Sequence, residues 1–212
     1  MSLNTRPRKG MAPLRLDIAI MLVVSATAKA HSFKYKELRE GCNNTDLKRF
    51  WNTTEPIWTH TTTKASENDF SCLVDMKINE NGSYMIFNRL FYTANRTGKN
   101  TLPLKGLFSP GNTFDQPAML LYHTNGTTYA VENLLYESPD GQCGVFKFSK
   151  YPSELRFDLR VKNSSITKPL DAGCSAFFWE TYKYHQRRHR IRSLTVYNPS
   201  CQEVLQLTNI GC

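Results

Sequence analysis

The sequence has no apolar run of the ~20 residues that a helix needs to cross a bilayer, which argues against a membrane anchor. It also has no C-x-x-C pair, so zinc ribbons and thiol exchange lack their usual spacing. G-x-S-x-G, a phosphate-binding loop and a glycine-rich dinucleotide signature are absent too, and with them the commonest marks of hydrolases and nucleotide enzymes. In "HQRRH", His185 and His189 stand four apart, but no acid lies between them and the arginines repel a cation. These absences argue against an enzyme, a metal site and a cofactor.

What is present begins with an export signal. Arg6, Arg8, Lys9 and Arg15 form a basic start, and "IAIMLVVSATAKA" is a short apolar run ending in an A-x-A site, so residues 1–30 read as a signal peptide cut after Ala30. Translation starts at Met1 or Met11. The expected mature chain, 31–212, keeps 22 basic and 17 acidic residues, a net +5 against +9 for the whole sequence. Most of any case for nucleic-acid binding leaves with the signal. The mature length fits one secreted domain with a sizeable core.

Six cysteines in an exported chain are expected to form disulfides, and spacing alone leaves 15 pairings open. Export also gives meaning to the N-x-S/T sequons at Asn43, Asn52, Asn81, Asn95, Asn125 and Asn163 as glycosylation sites on exposed positions. Two of them, in "NENGS" and "HTNGTT", coincide with Asn-Gly hairpin signals.

Along the chain, "NNTDLKRFWNTTEP" reads as a short helix capped by Thr45 or Asp46, with Leu47, Phe50 and Trp51 on one face. Eight strand-like runs follow: "IWTHTTT", "DFSCLVDMKI", "SYMIFNRLFYTA", "TLPLKGLF" (with Pro103 marking an edge or bulge), "PAMLLYHT", "TTYAVENLLYES", "CGVFKFS" and "ELRFDLRVK". A helix over "LDAGCSAFFWETYKYHQRRHR" offers Phe177, Phe178, Tyr182 and Tyr184 as apolar surface, with Gly173 loosening its start, and "SLTVYNPSC" forms a last extended piece. This order implies an all-β, eight-stranded antiparallel barrel, which can hold one small ligand. In "FDLRV", Asp158 and Arg160 share one face of a strand. Whether that face meets water or the barrel interior decides whether the strand binds anything.

"NDFSC", "NLLYESPDGQC" with "GVFKF", "FDLRVKNSS", "AGCSAFFWETY" and "TVYNPSC" together resemble the tick salivary lipocalins of the histamine-binding family, over almost all of the mature chain. The resemblance implies an eight-stranded lipocalin barrel with a C-terminal helix packed outside and a short N-terminal helix, secreted in saliva to sequester host mediators. It implies the pairs Cys72–Cys201 and Cys143–Cys174, leaving Cys42 with Cys212. It also turns the "FDLRV" polar face inward, matching Asp158 to a cavity carboxylate, Arg160 to a cavity position that is Trp in the family, and Glu132 to a third cavity position. Trp58, Phe70, Tyr84 and Tyr136 are further candidates for the lining.

Two ligand classes follow. An ammonium such as histamine or serotonin needs unpaired carboxylates and aromatic faces, which Glu132 and Asp158 would supply. If Arg160 neutralises Asp158, its remaining donors suit the carboxylate of an eicosanoid instead. Family membership favours the biogenic amine; "THTTTKASENDF", Met119 and Leu121, more apolar than the family's amine cage, favour the lipid. A third reading, from another class, is a monomeric protein-binding inhibitor of complement or another host protein, acting through its surface. Arg187, Arg188, Arg190 and Arg192 complement the helix C-terminus and are also a candidate patch for a host protein or an anionic polysaccharide.

Overall fold

A computed structural model describes residues 45–64, 70–93, 98–109, 117–152 and 154–206. The signal segment, the Cys42–Cys212 pair and the sequons at Asn43 and Asn95 lie outside the described residues. The first element is the expected short helix, α1 (Leu47–Trp51), opened by Asp46, whose Oδ1 accepts from the Arg49 amide at 3.1 Å. Eight strands follow as antiparallel neighbours: β1 (Ile57–Lys64), β2 (Phe70–Asn81), β3 (Tyr84–Thr93), β4 (Lys99–Ser109), β5 (Ala118–His123), β6 (Thr128–Glu137), β7 (Cys143–Lys150) and β8 (Glu154–Lys162). Each lies within a few residues of the run that announced it. Pro103 sits in β4 opposite Asn88 of β3, and β5 joins only from Leu104, so its missing N–H costs no ladder bond on that side.

The sheet closes on itself, because β1 pairs with both β8 and β2. The β1–β2 register covers only Ile57↔Asp75 and Trp58↔Val74. Further up, β1 instead pairs with a ninth strand, β9 (Arg192–Thr195). Beyond it, Val196 stitches the gap: its N–H donates to the His60 carbonyl at 2.9 Å and its carbonyl accepts from the Cys72 amide at 2.9 Å. Cys72 holds a left-handed backbone, φ 54°, where β2 shifts register between Ser71 and Val74. A non-glycine residue there is strained by about 1–3 kcal/mol and persists because its surroundings hold it.

α1 closes one end of the barrel. Phe50 packs edge-on against Phe146 at 5.1 Å and Trp51 meets Phe87 at 5.4 Å, while Arg49 pairs with Glu137 at 2.8 Å. Gly144 is required beneath it, since a Cβ there would meet Leu134 at 2.9 Å and Phe50 at 3.1 Å. The opposite end, where β1, β3, β5 and β7 finish, is the mouth.

Outside the barrel lies α2 (Ala172–His189), capped by Asp171, whose Oδ1 accepts from the Cys174 amide at 2.8 Å. Phe177 and Phe178 are buried against the sheet, and Gly173 lets the helix approach the Tyr136 hydroxyl. Tyr184 is 43 % exposed, so it adds less apolar surface than its sequence context suggests; Trp179 is exposed as well. Cys143–Cys174 fastens the start of α2, and Cys72–Cys201 fastens the C-terminal segment, whose last described element is the short α3 (Glu203–Gln206). Both are the pairings that the resemblance implies.

Candidate functional site

The polar face of β8 points inward. Register pairs Arg156, Asp158 and Arg160 with Phe148, Phe146 and Gly144 of β7, whose phenylalanines lie in the interior with Leu134, Met119 and Phe87. The outward partners Phe157, Leu159 and Val161 pack beneath α2. Asp158, Arg160 and Glu132 are all 0 % exposed. The strand that raised the question therefore lines the interior.

Sequence reasoning missed three further charges buried in the same interior: Asp75 on β2, Arg89 on β3 and Arg156 on β8. With the expected three they form one chain of ion pairs. Arg89 donates to both oxygens of Asp75, at 2.7 and 2.8 Å, and to Glu132 at 2.8 Å. Arg160 donates to both oxygens of Glu132, at 2.8 and 2.6 Å, and to Asp158 at 3.0 Å. Arg156 donates to both oxygens of Asp158 at 3.2 Å, and the Thr62 hydroxyl donates to the same carboxylate at 2.6 Å. Arg156 also donates to the half-exposed Glu154 at 2.8 Å, so three guanidiniums balance three buried carboxylates with a fourth at the rim. Rings cover the flat faces: Arg160 lies 4.5 Å from the Phe146 centroid and Arg156 3.8 Å from that of Phe148.

Burial alone would raise the Glu132 carboxyl, but Arg160 and Arg89 override it and hold the group far below the ordinary range. Asp158 follows the same pattern: burial raises it, Arg156 and Arg160 outweigh that, and the result lies below the usual value. Both are ionised at neutral pH. Burial likewise opposes the charge on Arg160, and Glu132 more than restores it.

Every carboxylate oxygen in the network accepts at least one bond. The unmatched atoms are donors, Nη1 of Arg89 and Nε of Arg160. A buried donor without a partner costs about 1–3 kcal/mol. Chemically the centre lacks an acceptor oxygen, not a cation. Three clefts of about 630, 490 and 370 Å³ lie at the closed end beside α1, over the Cys143–Cys174 bridge and on the outer face of β3–β5; none of the three is lined by the network.

The remaining candidates divide. Phe70 stands at the mouth, its ring 5.4 Å from the Arg156 guanidinium and 4.7 Å from Lys64 Nζ. Trp58, Tyr84 and Tyr136 face outward and are no part of this interior. Trp58 opposes Val161 and Val74, donates from Nε1 to Asn163 at 2.8 Å and meets Tyr197 edge-on. Tyr136 stacks on Phe177 of α2 at 5.3 Å, and Tyr84 lies under Lys105 on the outer face. Bulges explain two of these. The register of β1 shifts between Thr59 and Thr61, and that of β6 between Leu134 and Tyr136, so each strand changes face partway. A signal for two of the missed charges existed, since Arg89 in "MIFNRLF" is a lone charge among large apolar residues and Asp75 in "CLVDM" follows an apolar run. Of the sequons within the structure, Asn52, Asn81 and Asn125 are exposed; Asn163 is half-buried, and its Oδ1 accepts from Trp58 and from Gln202.

No family model and no curated protein matches the chain. Solved structures do. The siderocalin Ex-FABP is similar at 6 % identity, over 69 % of this chain and 95 % of that one, with a TM-score of 0.49. Lobster apocrustacyanin A1 is similar at 13 % identity, over 82 % and 91 %, with a TM-score of 0.52. The likeness to apocrustacyanin, with the closed eight-stranded barrel and outer helix, gives this chain the lipocalin fold.

Proposed function

We propose that the chain is a secreted lipocalin that takes up a small, largely apolar ligand carrying a carboxylate or another acceptor oxygen, as fatty-acid-derived mediators do. One observation carries this: inside the barrel all carboxylate oxygens are satisfied, while Arg89 Nη1 and Arg160 Nε are not. A ligand carboxylate would complete those two donors, entering from the mouth past Phe70 and Arg156. An amine, favoured by the resemblance to the histamine-binding family, would instead have to draw Glu132 or Asp158 away from two arginines each. Two disulfides fit export into an oxidising compartment, where sequestering a host mediator is a matter of affinity and abundance.

A second reading rests on the closure of the network. Six charged side chains, each no more than 4 % exposed, fill the centre of the barrel, which fits a scaffold acting on a host protein through its surface. Calorimetric titration of the glycosylated, oxidised protein with arachidonate, leukotriene B4, histamine and serotonin separates the readings. Tight binding of the lipid acids alone is the expected result. Tight binding of an amine alone would overturn the proposal, and silence across the set would move the function to the surface.

A further inference from the structure

The C-terminal end of α2 plays no part in the barrel interior. Arg187 and Arg188 are exposed on its last turn, Arg190 is exposed at a left-handed cap with φ 50°, and Arg192 is exposed at the start of β9. From Thr181 to Gln202 the sequence contains no Asp or Glu. The nearest acid along the chain, Glu180, is buried and holds Lys183 at 3.0 Å. The helix starts near the closed end, at the Cys143–Cys174 bridge, and finishes near the mouth, where His185 stacks on Phe157 at 4.6 Å. The cluster therefore sits beside the rim of the barrel. The helix dipole favours cations in the last turn and fades beyond it.

We propose that this rim cluster binds a sulfated polysaccharide of the glycosaminoglycan class. Guanidinium matches the planar, two-point geometry of sulfate oxygens, and several of them within six residues suit a repeating polyanion. Two other classes fit less well. A lipid surface calls for apolar side chains to insert, yet between 186 and 193 the one large apolar residue, Ile191, is buried. A protein interface is usually anchored by a buried aromatic or aliphatic centre, and this patch has none. The site is independent of whatever the barrel holds.

The test is binding of the intact protein to immobilised heparin across a salt series. Wild type is expected to bind at 0.15 M salt and to weaken linearly in log–log form as counterions are released. Arg187→Gln/Arg188→Gln/Arg190→Asn, with Asn chosen because it tolerates the left-handed cap, should weaken binding at least tenfold and flatten the salt slope by about two to three, one per lost contact. Its thermal midpoint should fall by no more than a few degrees, the loss of the last-turn cations' interaction with the helix C-terminus. A matched triple at exposed positions elsewhere, Lys48→Gln/Lys105→Gln/Lys168→Gln, should bind like wild type. Failure of wild type to bind, equal loss in the matched triple, or equal binding of desulfated heparin would each overturn the proposal, as would capture by phosphatidylserine vesicles without capture by heparin.

Discussion

Replacing Arg160 with Met deletes a cation but keeps an unbranched, adaptable side chain over Phe146. Three strong bonds disappear with it, two to Glu132 and one to Asp158. Glu132 is left with Arg89, and Asp158 with Arg156 and Thr62, so the interior carries one uncompensated negative charge. Removing one partner of a buried pair costs about 3–5 kcal/mol, a large share of the roughly 5–15 kcal/mol that stabilises a domain. At a urea slope of about 2 kcal/mol per molar the unfolding midpoint should fall by about 2 M. The partner experiment removes the charge imbalance: Glu132→Gln with Arg160→Met restores neutrality, and Arg89 keeps both bonds to Asp75. That double variant should recover all but about 1–2 kcal/mol, a coupling between the two sites of at least about 2 kcal/mol. Urea titration of the four proteins, followed by tryptophan fluorescence, measures it. The network would not be the compensated unit described here if Arg160→Met cost less than about 1 kcal/mol, or if the double variant lost the sum of both single losses.

Further outcomes follow from the same structure. The folded pKa values of Glu132 and Asp158 lie below their ordinary 4.5 and 3.8, so their contribution is complete above those values and is lost as pH falls through the depressed ones; urea midpoints should be level near neutrality and drop progressively below about pH 4.5, and a level curve down to pH 3 would contradict the pairing. Serine at both Cys72 and Cys201 opens a span of 129 residues and should cost about 5 kcal/mol by loop-closure entropy, against about 4 for the 31-residue span of Cys143 and Cys174; calorimetric melting of the two variants gives the order, and the reverse order refutes it. Trp58→Phe loses the bond to Asn163 and about 1 kcal/mol of stability but, facing outward, should leave ligand affinity within twofold; a tenfold loss in titration would put Trp58 back in the interior.

The strands were readable because local chemistry agreed with the fold. Asn-Gly turns at 81–82 and 125–126 separate alternating runs, and Asp46 and Asp171 cap helices where a capping residue precedes an apolar face. The inward set was only partly readable. Glu132, Asp158 and Arg160 met inside because their strand segments hold register with one another through β7. Trp58 and Tyr136 did not, since one extra residue in β1 and one in β6 reverse the alternation, and nothing in "WTHTT" or "NLLYE" announces a bulge. Arg89 and Asp75 were legible only as oddities, because a pair that satisfies itself across two strands leaves no spacing signature in either.

The meeting of β1 and β2 has a mechanical consequence. Their direct pairing ends at Trp58, and above it the circumference is completed by the backbone of Val196, with Cys72–Cys201 pinning the tail. The floor is thus closed by strand pairing, whereas the seam above it is closed by a segment from outside the barrel order. Letting the tail go would part β1 from β2 above Trp58 while every rung from β2 round to β8 stays in place, so that seam is held shut by the Val196–Cys201 segment and not by the barrel strands themselves.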